Sequence, residues 1–303
     1  MSQGEVHDPG EALPLSLPEY PDMRPLALED RDDVQAFFSR FPAEANEGCF
    51  GNHYIWRHYD RPRVAVLNGN LVLFFTPPHE PAYFLPPVGE TDIPGTIEAC
   101  LAHTPRLSRV PAAFAEKYCP GFRCAPDRND FDYVYATADL AELKGKRYDG
   151  KRNRIRKLER EHSWAYRALT ADLLPDCRRL FEEWLAEQGE PTPMSSAQGK
   201  VIREALLHYE ALELTGGAIE IDGQIAAISI GERLNPSTAV IHIEIASPCC
   251  EGLAQLMNRE FVRNAWPDTD FINRESDLGL PGLRKAKLSY HPHHMVEKFH
   301  IWK

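Results

Sequence analysis

The chain has 303 residues and a mass of 34.4 kDa, enough for roughly two domains of ordinary size. Hydrophobic residues make up 43% and charged residues 26%, a balance that excludes an intrinsically disordered chain. The 45 acidic residues outnumber the 34 Lys and Arg residues, giving a formal net charge of −11. This excess argues against DNA and general nucleic-acid binding, apart from what a local basic patch would allow.

Neither a membrane span nor an export signal stands out in the sequence. No run approaches the ~18 consecutive apolar residues of a membrane helix. The acidic N-terminus lacks a hydrophobic signal region, and the seven cysteines have the irregular spacing of reduced thiols. We therefore expect a cytoplasmic protein without a membrane span.

The first half of the chain has mixed helical and strand-like patterns. Residues 1–22 are rich in proline and lack hydrophobic periodicity, which predicts a flexible tail. An N-terminal α+β domain is predicted over residues 23–140. Its predicted elements are a helix at 34–41, strands at 63–67, 71–75 and 82–85, a helix at 96–103 and a strand at 131–135.

The second half, residues 141–303, predicts a further α+β domain with a similar order of elements. Asp222 and Gly223 form the turn of a predicted type I′ hairpin. No sequence motif repeats between the halves, so a duplication rests on element order alone. The predicted elements are a helix from Pro175 to Gly189, a helix at 200–209, hairpin strands at 216–221 and 224–231, a strand at 239–245, a helix from Gly252, a strand at 271–272, a helix at 280–288 and a strand at 295–302.

The strand at 239–245 and the loop after it are the most informative segment. Strand alternation places three isoleucines on one face and His242 with Glu244 on the other. The small-residue loop 247–252 then leads into a helix, an arrangement that favours a phosphate site with a carboxylate base beside it. Glu251 weakens the phosphate interpretation because it adds negative charge. The alternative is that His242 and Glu244 form the solvated face of a half-exposed strand.

A dense basic run occupies residues 144–160. It contains nine Lys or Arg residues and two acids, which is unusual in an acidic chain. A second basic run follows at 284–287. Such segments are suited to a polyphosphate, an RNA backbone or anionic headgroups. The alternative is a solvated helix face.

Two metal interpretations receive little support. His242 and Glu244 followed by Cys249 and Cys250 resemble a zinc deaminase pattern, but adjacent cysteines cannot supply its ligand set. The second candidate is a histidine cluster without nearby Cys, Asp or Glu: His291, His293 and His294. We predict no metal.

Four segments carry a family resemblance. They are residues 52–57, 130–135, 145–153 and 273–292, of which the last is the most specific. They resemble the family of bacterial proteins related to the C-terminal domain of phosphatidylglycerol lysyltransferase, over roughly residues 23–303. The resemblance implies a tandem of two GNAT-like acyltransferase folds, that is, an α+β protein with mixed central sheets flanked by helices.

The resemblance also implies a reaction. An acyl or aminoacyl group would pass from an activated donor, aminoacyl-tRNA or acyl-CoA, to an amine or hydroxyl. An anionic lipid headgroup or a small molecule is the possible acceptor. The usual GNAT loop, Q/R-x-x-G-x-G/A, reads Ser-Pro-Cys-Cys-Glu-Gly here. Because Pro248 lacks an N–H and Glu251 repels phosphate, the sequence favours aminoacyl-tRNA.

These considerations predict an active site in the second half. Glu244 would act as the base, Tyr290 would protonate or hydrogen-bond the leaving group, and His242 would assist. Donor binding would use backbone N–H groups of the loop at Ser247 and Gly252. It would also use the polar and charged side chains of Lys146, Lys151, Arg152, Asn153, Arg284, Lys285 and Lys287. Two alternatives stay open: a catalytically silent module that senses a nucleotide, tRNA or lipid headgroup, and an acyl-CoA-dependent small-molecule N-acyltransferase. A hydrolase ranks low because the chain lacks a G-x-S-x-G elbow.

Overall fold

Two seven-stranded sheets organise residues 16–187 and 193–303, the part of the chain that the computed structural model describes. The strands are β1 (Arg24–Pro25), β2 (Arg63–Leu67), β3 (Asn70–Phe75), β4 (Tyr83–Phe84), β5 (Leu107–Pro111), β6 (Arg123–Pro126), β7 (Asp132–Ala136), β8 (Trp164–Ala168), β9 (Thr215–Ile221), β10 (Gln224–Asn235), β11 (Thr238–Ala246), β12 (Phe271–Asn273), β13 (His294–Val296) and β14 (Lys298–Trp302). The α-helices are α1 (Arg31–Arg40), α2 (Phe50–Ile55), α3 (Arg57–Asp60), α4 (Ile93–Leu101), α5 (Ala112–Tyr118), α6 (Thr137–Glu142), α7 (Asp149–Glu161), α8 (Leu174–Glu187), α9 (Pro193–Leu207), α10 (Leu253–Ala265) and α11 (Pro281–Leu288).

Both sheets are mixed. The first has the order β1-β2-β3-β4-β5-β14-β6, with a parallel contact between β4 and β5. The second has the order β13-β7-β12-β11-β10-β9-β8, with a parallel contact between β11 and β12. Helices flank these sheets, so the predicted GNAT-like α+β fold is confirmed.

The strands do not separate at the predicted boundary between residues 140 and 141. Strand β7 belongs to the second sheet, whereas β14 returns to the first and lies between β5 and β6. The predicted strand at 295–302 is therefore two strands, one in each sheet. Local patterns cannot reveal this exchange because strand pairing joins residues that are distant in sequence.

Part of the predicted tail packs against the first sheet. Leu17 is buried, and the ring of Tyr20 stacks on Phe74 with 5.8 Å between the centroids. The Tyr20 N–H also donates to the Val66 carbonyl at 2.9 Å. This segment is thus ordered rather than flexible; residues 1–15, like the helix stop expected at Gly189, lie outside the described residues.

A β-bulge in β11 overturns the predicted placement of its side chains. Ile241 pairs with Gly231 and Ile243 with Ile230, so one extra residue, His242, interrupts the register. Ile241 consequently packs in the core under α10, while Ile243 packs in the core shared with the first half. The prediction that the isoleucines share one face is wrong, because a bulge breaks the two-residue alternation of a strand.

Candidate active site

The parallel strands β11 and β12 part after a short paired segment, and we call the gap between their ends the crevice. They pair from Thr238 with Phe271 to Val240 with Asn273; there β12 ends, while β11 continues to Ala246. Helix α10 connects the two strands, which makes a β-α-β unit. In open sheets the crevice beyond the carboxyl ends of such strands is the usual ligand site. Glu244 and Arg274 follow the last paired residues and line this crevice.

Glu244 lies at the opening with 26% of its side chain exposed. One carboxylate oxygen accepts a 3.0 Å hydrogen bond from Asn258 Nδ2 on α10. The other accepts from Arg274, whose Nε lies 2.9 Å away and whose Nη2 also donates. The remaining guanidinium nitrogen, Arg274 Nη1, is buried and has no hydrogen-bond partner among the described residues. The crevice thus holds an oriented carboxylate beside an unused buried donor.

Tyr290 adds a phenol at the end of α11. Its ring lies 4.8 Å from the Arg274 guanidinium and 4.0 Å from the Lys151 ammonium. Burial raises the pKa of Tyr290 to about 12, so the phenol keeps its proton at neutral pH. Burial and the nearby Arg274 lower the pKa of Lys151 to about 8. These groups can hold and deliver protons near neutrality.

His242 is bound too tightly to act as a proton acceptor. Its Nδ1 lies 2.7 Å from a Glu275 oxygen and its Nε2 lies 2.9 Å from a Glu232 oxygen. Burial opposes the charged ring, but the hydrogen bonds to both carboxylates raise its pKa to about 10. The ring is therefore an imidazolium at neutral pH. It joins β10, β11 and the segment after β12, a position that favours a structural role over the predicted catalytic one.

The loop at 247–252 is closed against α7. The Ser247 N–H donates to the Ala226 carbonyl at 2.8 Å, and the Ser247 hydroxyl accepts from the Cys249 N–H at 3.3 Å. Glu251 pairs with Arg154 at 3.3 Å and with Lys157 at 3.2 Å. Because the Ser247 N–H is committed to β10 and Glu251 to α7, this geometry does not favour the predicted phosphate cradle at Ser247 and Gly252.

Gly252→Ala is expected to destabilise the protein by about 1–3 kcal/mol. Gly252 has φ +101°, and an added Cβ would lie 2.5 Å from the Arg154 carbonyl oxygen. Gly150→Ala is the matched control, since its added Cβ meets nothing within 4 Å and alanine favours the helix α7. Urea unfolding measures both. Equal stability of the two variants would contradict the close approach of α7 to this loop.

The predicted basic groove assembles only in part. Lys151 Nζ donates to Ser289 Oγ at 2.8 Å, which brings α7 against the end of α11. Arg152 instead donates to the carbonyls of Leu143 and Gly145, and pairs with Asp149. Three of the other predicted donor ligands, Lys146, Asn153 and Lys285, are exposed.

Two further predicted donor ligands, Arg284 and Lys287, bind neighbouring groups of the protein. Arg284 pairs with Asp277 at 2.7 Å and donates to Asn129 at 3.0 Å. Lys287 is buried and donates to the backbone carbonyls of Arg274 and Glu275. Burial and Arg274 lower the pKa of Lys287 to about 8. Both residues therefore hold the segment after β12 in place, and Lys287 does so beside Arg274.

Sequence reasoning missed Arg274 and Asn258. Arg274 lies inside the 273–292 block but apart from its basic run at 284–287, so charge density does not single it out. Asn258 lies two turns into α10 and has no sequence signal of its own. Of the predicted histidine cluster, His293 contacts His294 at 2.9 Å and His294 contacts Glu44 at 3.0 Å. A different trio with metal-ligand geometry, which the sequence did not indicate, comprises Asp127, Asp130 and His300.

No helix within residues 16–187 and 193–303 is both long and apolar enough to cross a membrane.

The fold and the crevice together define a GNAT-like transferase architecture. The sequence profile of the family "Phosphatidylglycerol lysyltransferase, C-terminal" matches residues 38–301, so the chain belongs to this family. Membership supports acyl or aminoacyl transfer as the general class of reaction. Comparison with curated proteins found no significant match.

Two solved structures have a fold similar to that of this chain. A conserved protein of unknown function from Bacteroides thetaiotaomicron is 30% identical, with a TM-score of 0.84 over 93% of this chain and 99% of that one. The L-PGS from Bacillus licheniformis is 16% identical, with a TM-score of 0.62 over 94% of this chain and 93% of that one. At that identity the second likeness concerns the fold alone.

Proposed function

We propose that the crevice between β11 and β12 transfers an acyl or aminoacyl group from an activated anionic donor to an amine or hydroxyl. Aminoacyl-tRNA is the proposed donor. The observation that carries the proposal is the convergence of a carboxylate, a phenol and a guanidinium at the open ends of the two strands: Glu244, Tyr290 and Arg274.

The proton balance assigns a role to each group. Glu244 takes the proton of the attacking amine or hydroxyl, whose nitrogen or oxygen bonds to the donor's carbonyl carbon. Arg274 Nη1 donates to the oxyanion that forms, since this buried nitrogen has no other partner in the described part of the chain. The bond to the donor's leaving oxygen then breaks, and Tyr290 supplies its proton. A pKa of about 12 keeps that proton in place until the leaving group needs it.

The choice of donor rests on charge and on the closed loop. A CoA pyrophosphate would need free loop N–H groups, whereas the Ser247 N–H already donates to Ala226 and Pro248 has no N–H. Three cations of the basic run have no carboxylate partner within the described residues and suit an extended phosphate backbone: Lys146, Arg156 and Arg160. An anionic lipid headgroup and a small molecule both remain compatible acceptors.

The experiment is a transfer assay with charged tRNA and, in parallel, with acetyl-CoA and longer acyl-CoAs. Product formation is followed by mass spectrometry, and donor binding by thermal stabilisation at moderate salt. We expect transfer and stabilisation with charged tRNA. Glu244→Gln should lower the transfer rate at least about a hundredfold while donor binding persists.

Glu297→Gln is the matched control, because Glu297 is an exposed glutamate outside the crevice. It should retain the full transfer rate. Stabilisation by a CoA ester and not by tRNA would contradict aminoacyl-tRNA as the donor. It would instead identify a small-molecule N-acyltransferase. Binding of tRNA without transfer to any amine or hydroxyl would instead identify a silent binding module.

A further inference from the structure

A separate cavity lies between the α2–α3 segment and α9. It is partly open to solvent, has a volume of about 230 Å³ and shares no residue with the crevice. Its apolar lining comes from Ile55, Ala197 and Val201, each of which is buried. Ala197 and Val201 are one helical turn apart on α9, so this face of the helix forms one wall of the cavity.

The charged groups around this cavity share one sign. Arg61 and Lys200 line it together with the imidazoles of His58 and His79, and no Asp or Glu is among its described lining residues. Neither Arg61 nor Lys200 forms an ion pair with any described residue. In a chain of net charge −11 such a lining favours an anion.

The carboxylate of α9 that follows Lys200 is already paired with cations. Glu204, one turn after Lys200 on α9, accepts from Arg57 Nη2 at 2.6 Å and lies 3.2 Å from His58 Nε2. Its side chain is 17% exposed. Among the residues that the structure describes, the positive charge of Lys200 and Arg61 is therefore left for a ligand.

The lining also presents two aromatic rings. Trp56 and Tyr59 contact each other edge to face, with 6.2 Å between the centroids and 73° between the planes. A flat ligand ring can stack on either of them. The volume of about 230 Å³ limits the ligand to a small molecule, of the order of one six-membered ring with a carboxylate.

The geometry points to a binding site for a small aromatic or heteroaromatic carboxylate in this cavity. The carboxylate bonds to Lys200 and Arg61, and the ring packs against the aromatic side chains and the apolar wall. The proposed transfer reaction does not use this site, so the two proposals are tested independently.

The test is isothermal titration calorimetry with three probes. Nicotinate carries both the ring and the charge, nicotinamide the ring alone, and inorganic phosphate the charge alone. We expect saturable binding of nicotinate, and at least about tenfold weaker binding of the other two. Equal binding of nicotinamide would overturn the charge requirement, and equal binding of phosphate would overturn the ring requirement.

Variants then locate the site. Lys200→Gln should weaken nicotinate binding at least about fivefold, whereas Lys200→Arg should preserve it. Lys117→Gln, a change at an exposed lysine far along the sequence, is the control and should leave binding unchanged. Because Lys200 is exposed, circular dichroism should show all three variants folded. Absence of nicotinate binding at millimolar concentration, or wild-type binding by Lys200→Gln, would overturn the proposal.

Discussion

Replacing Lys298 by methionine is expected to lower the free energy of unfolding by about 3–5 kcal/mol. Lys298 lies on β14, with 2% of its side chain exposed. Its ammonium group lies 2.8 Å from an Asp132 oxygen on β7, 2.7 Å from Glu47 and 2.7 Å from Asn46. Because β14 and β7 belong to different sheets, this cation joins the two halves of the protein. The variant removes the ammonium group that pairs with both buried carboxylates.

The deficit should grow as pH rises. Burial raises the pKa of Glu47 even with Lys298 present, and loss of the ammonium group raises it further. A carboxyl group whose folded pKa exceeds its unfolded value loses stability as pH rises through the folded pKa. Urea unfolding at pH 5 and pH 8 should therefore show the larger deficit at pH 8.

Lys144→Met is the matched control for Lys298→Met. Lys144 also pairs with a carboxylate, that of Glu142, but 78% of its side chain is exposed. An exposed pair contributes about 0–1 kcal/mol. If both variants lost the same small amount, the buried network would not hold the sheets together.

Replacing His242 by glutamine is expected to cost about 3 kcal/mol near pH 7, because it removes the imidazolium between Glu232 and Glu275. The pKa of His242 is about 10 in the folded protein, against an ordinary value of 6.5. A group with a raised folded pKa stabilises fully below the unfolded pKa. This contribution is then lost as pH rises through the folded value. The stability difference between wild type and variant should therefore be largest near pH 6.5 and shrink toward pH 10.

His162→Gln provides the comparison. His162 pairs with Asp222 at 2.9 Å, and 57% of the Asp222 side chain is exposed. We expect a loss below about 1 kcal/mol. Chemical denaturation between pH 6 and pH 10 measures all three proteins. A stability difference between wild type and His242→Gln that does not change over this range would show that His242 is neutral.

Local elements followed closely from sequence patterns. The Asp222-Gly223 turn has positive φ at both residues, as a type I′ hairpin requires. The apolar stripe of α8 and the helix α11 also appear where the sequence predicts them. These features depend on neighbouring residues, so one segment of sequence contains the information that they need.

The positions of the side chains in the site depend on contacts between residues that are distant in the sequence. The bulge at His242 arises against Gly231 of the neighbouring strand, where an added Cβ would lie 2.1 Å from the Val240 carbonyl oxygen. Glu244 acquires Arg274 as its partner because β11 and β12 pair in parallel and then part. Neither arrangement has a signature within the strand that carries the residue.

The sequence by itself determined the family, the α+β class, most helices and strands of the second half, and Glu244 and Tyr290 as candidate catalytic residues. The tertiary structure alone decided how the strands divide between the two sheets and which charges are used internally. Four residues that the sequence predicts as catalytic or ligand-binding groups are each held by a carboxylate or a backbone carbonyl: His242, Arg152, Arg284 and Lys287. The physical reason is that a charged side chain acts according to its nearest partner and its burial, and both are set by residues remote in the chain.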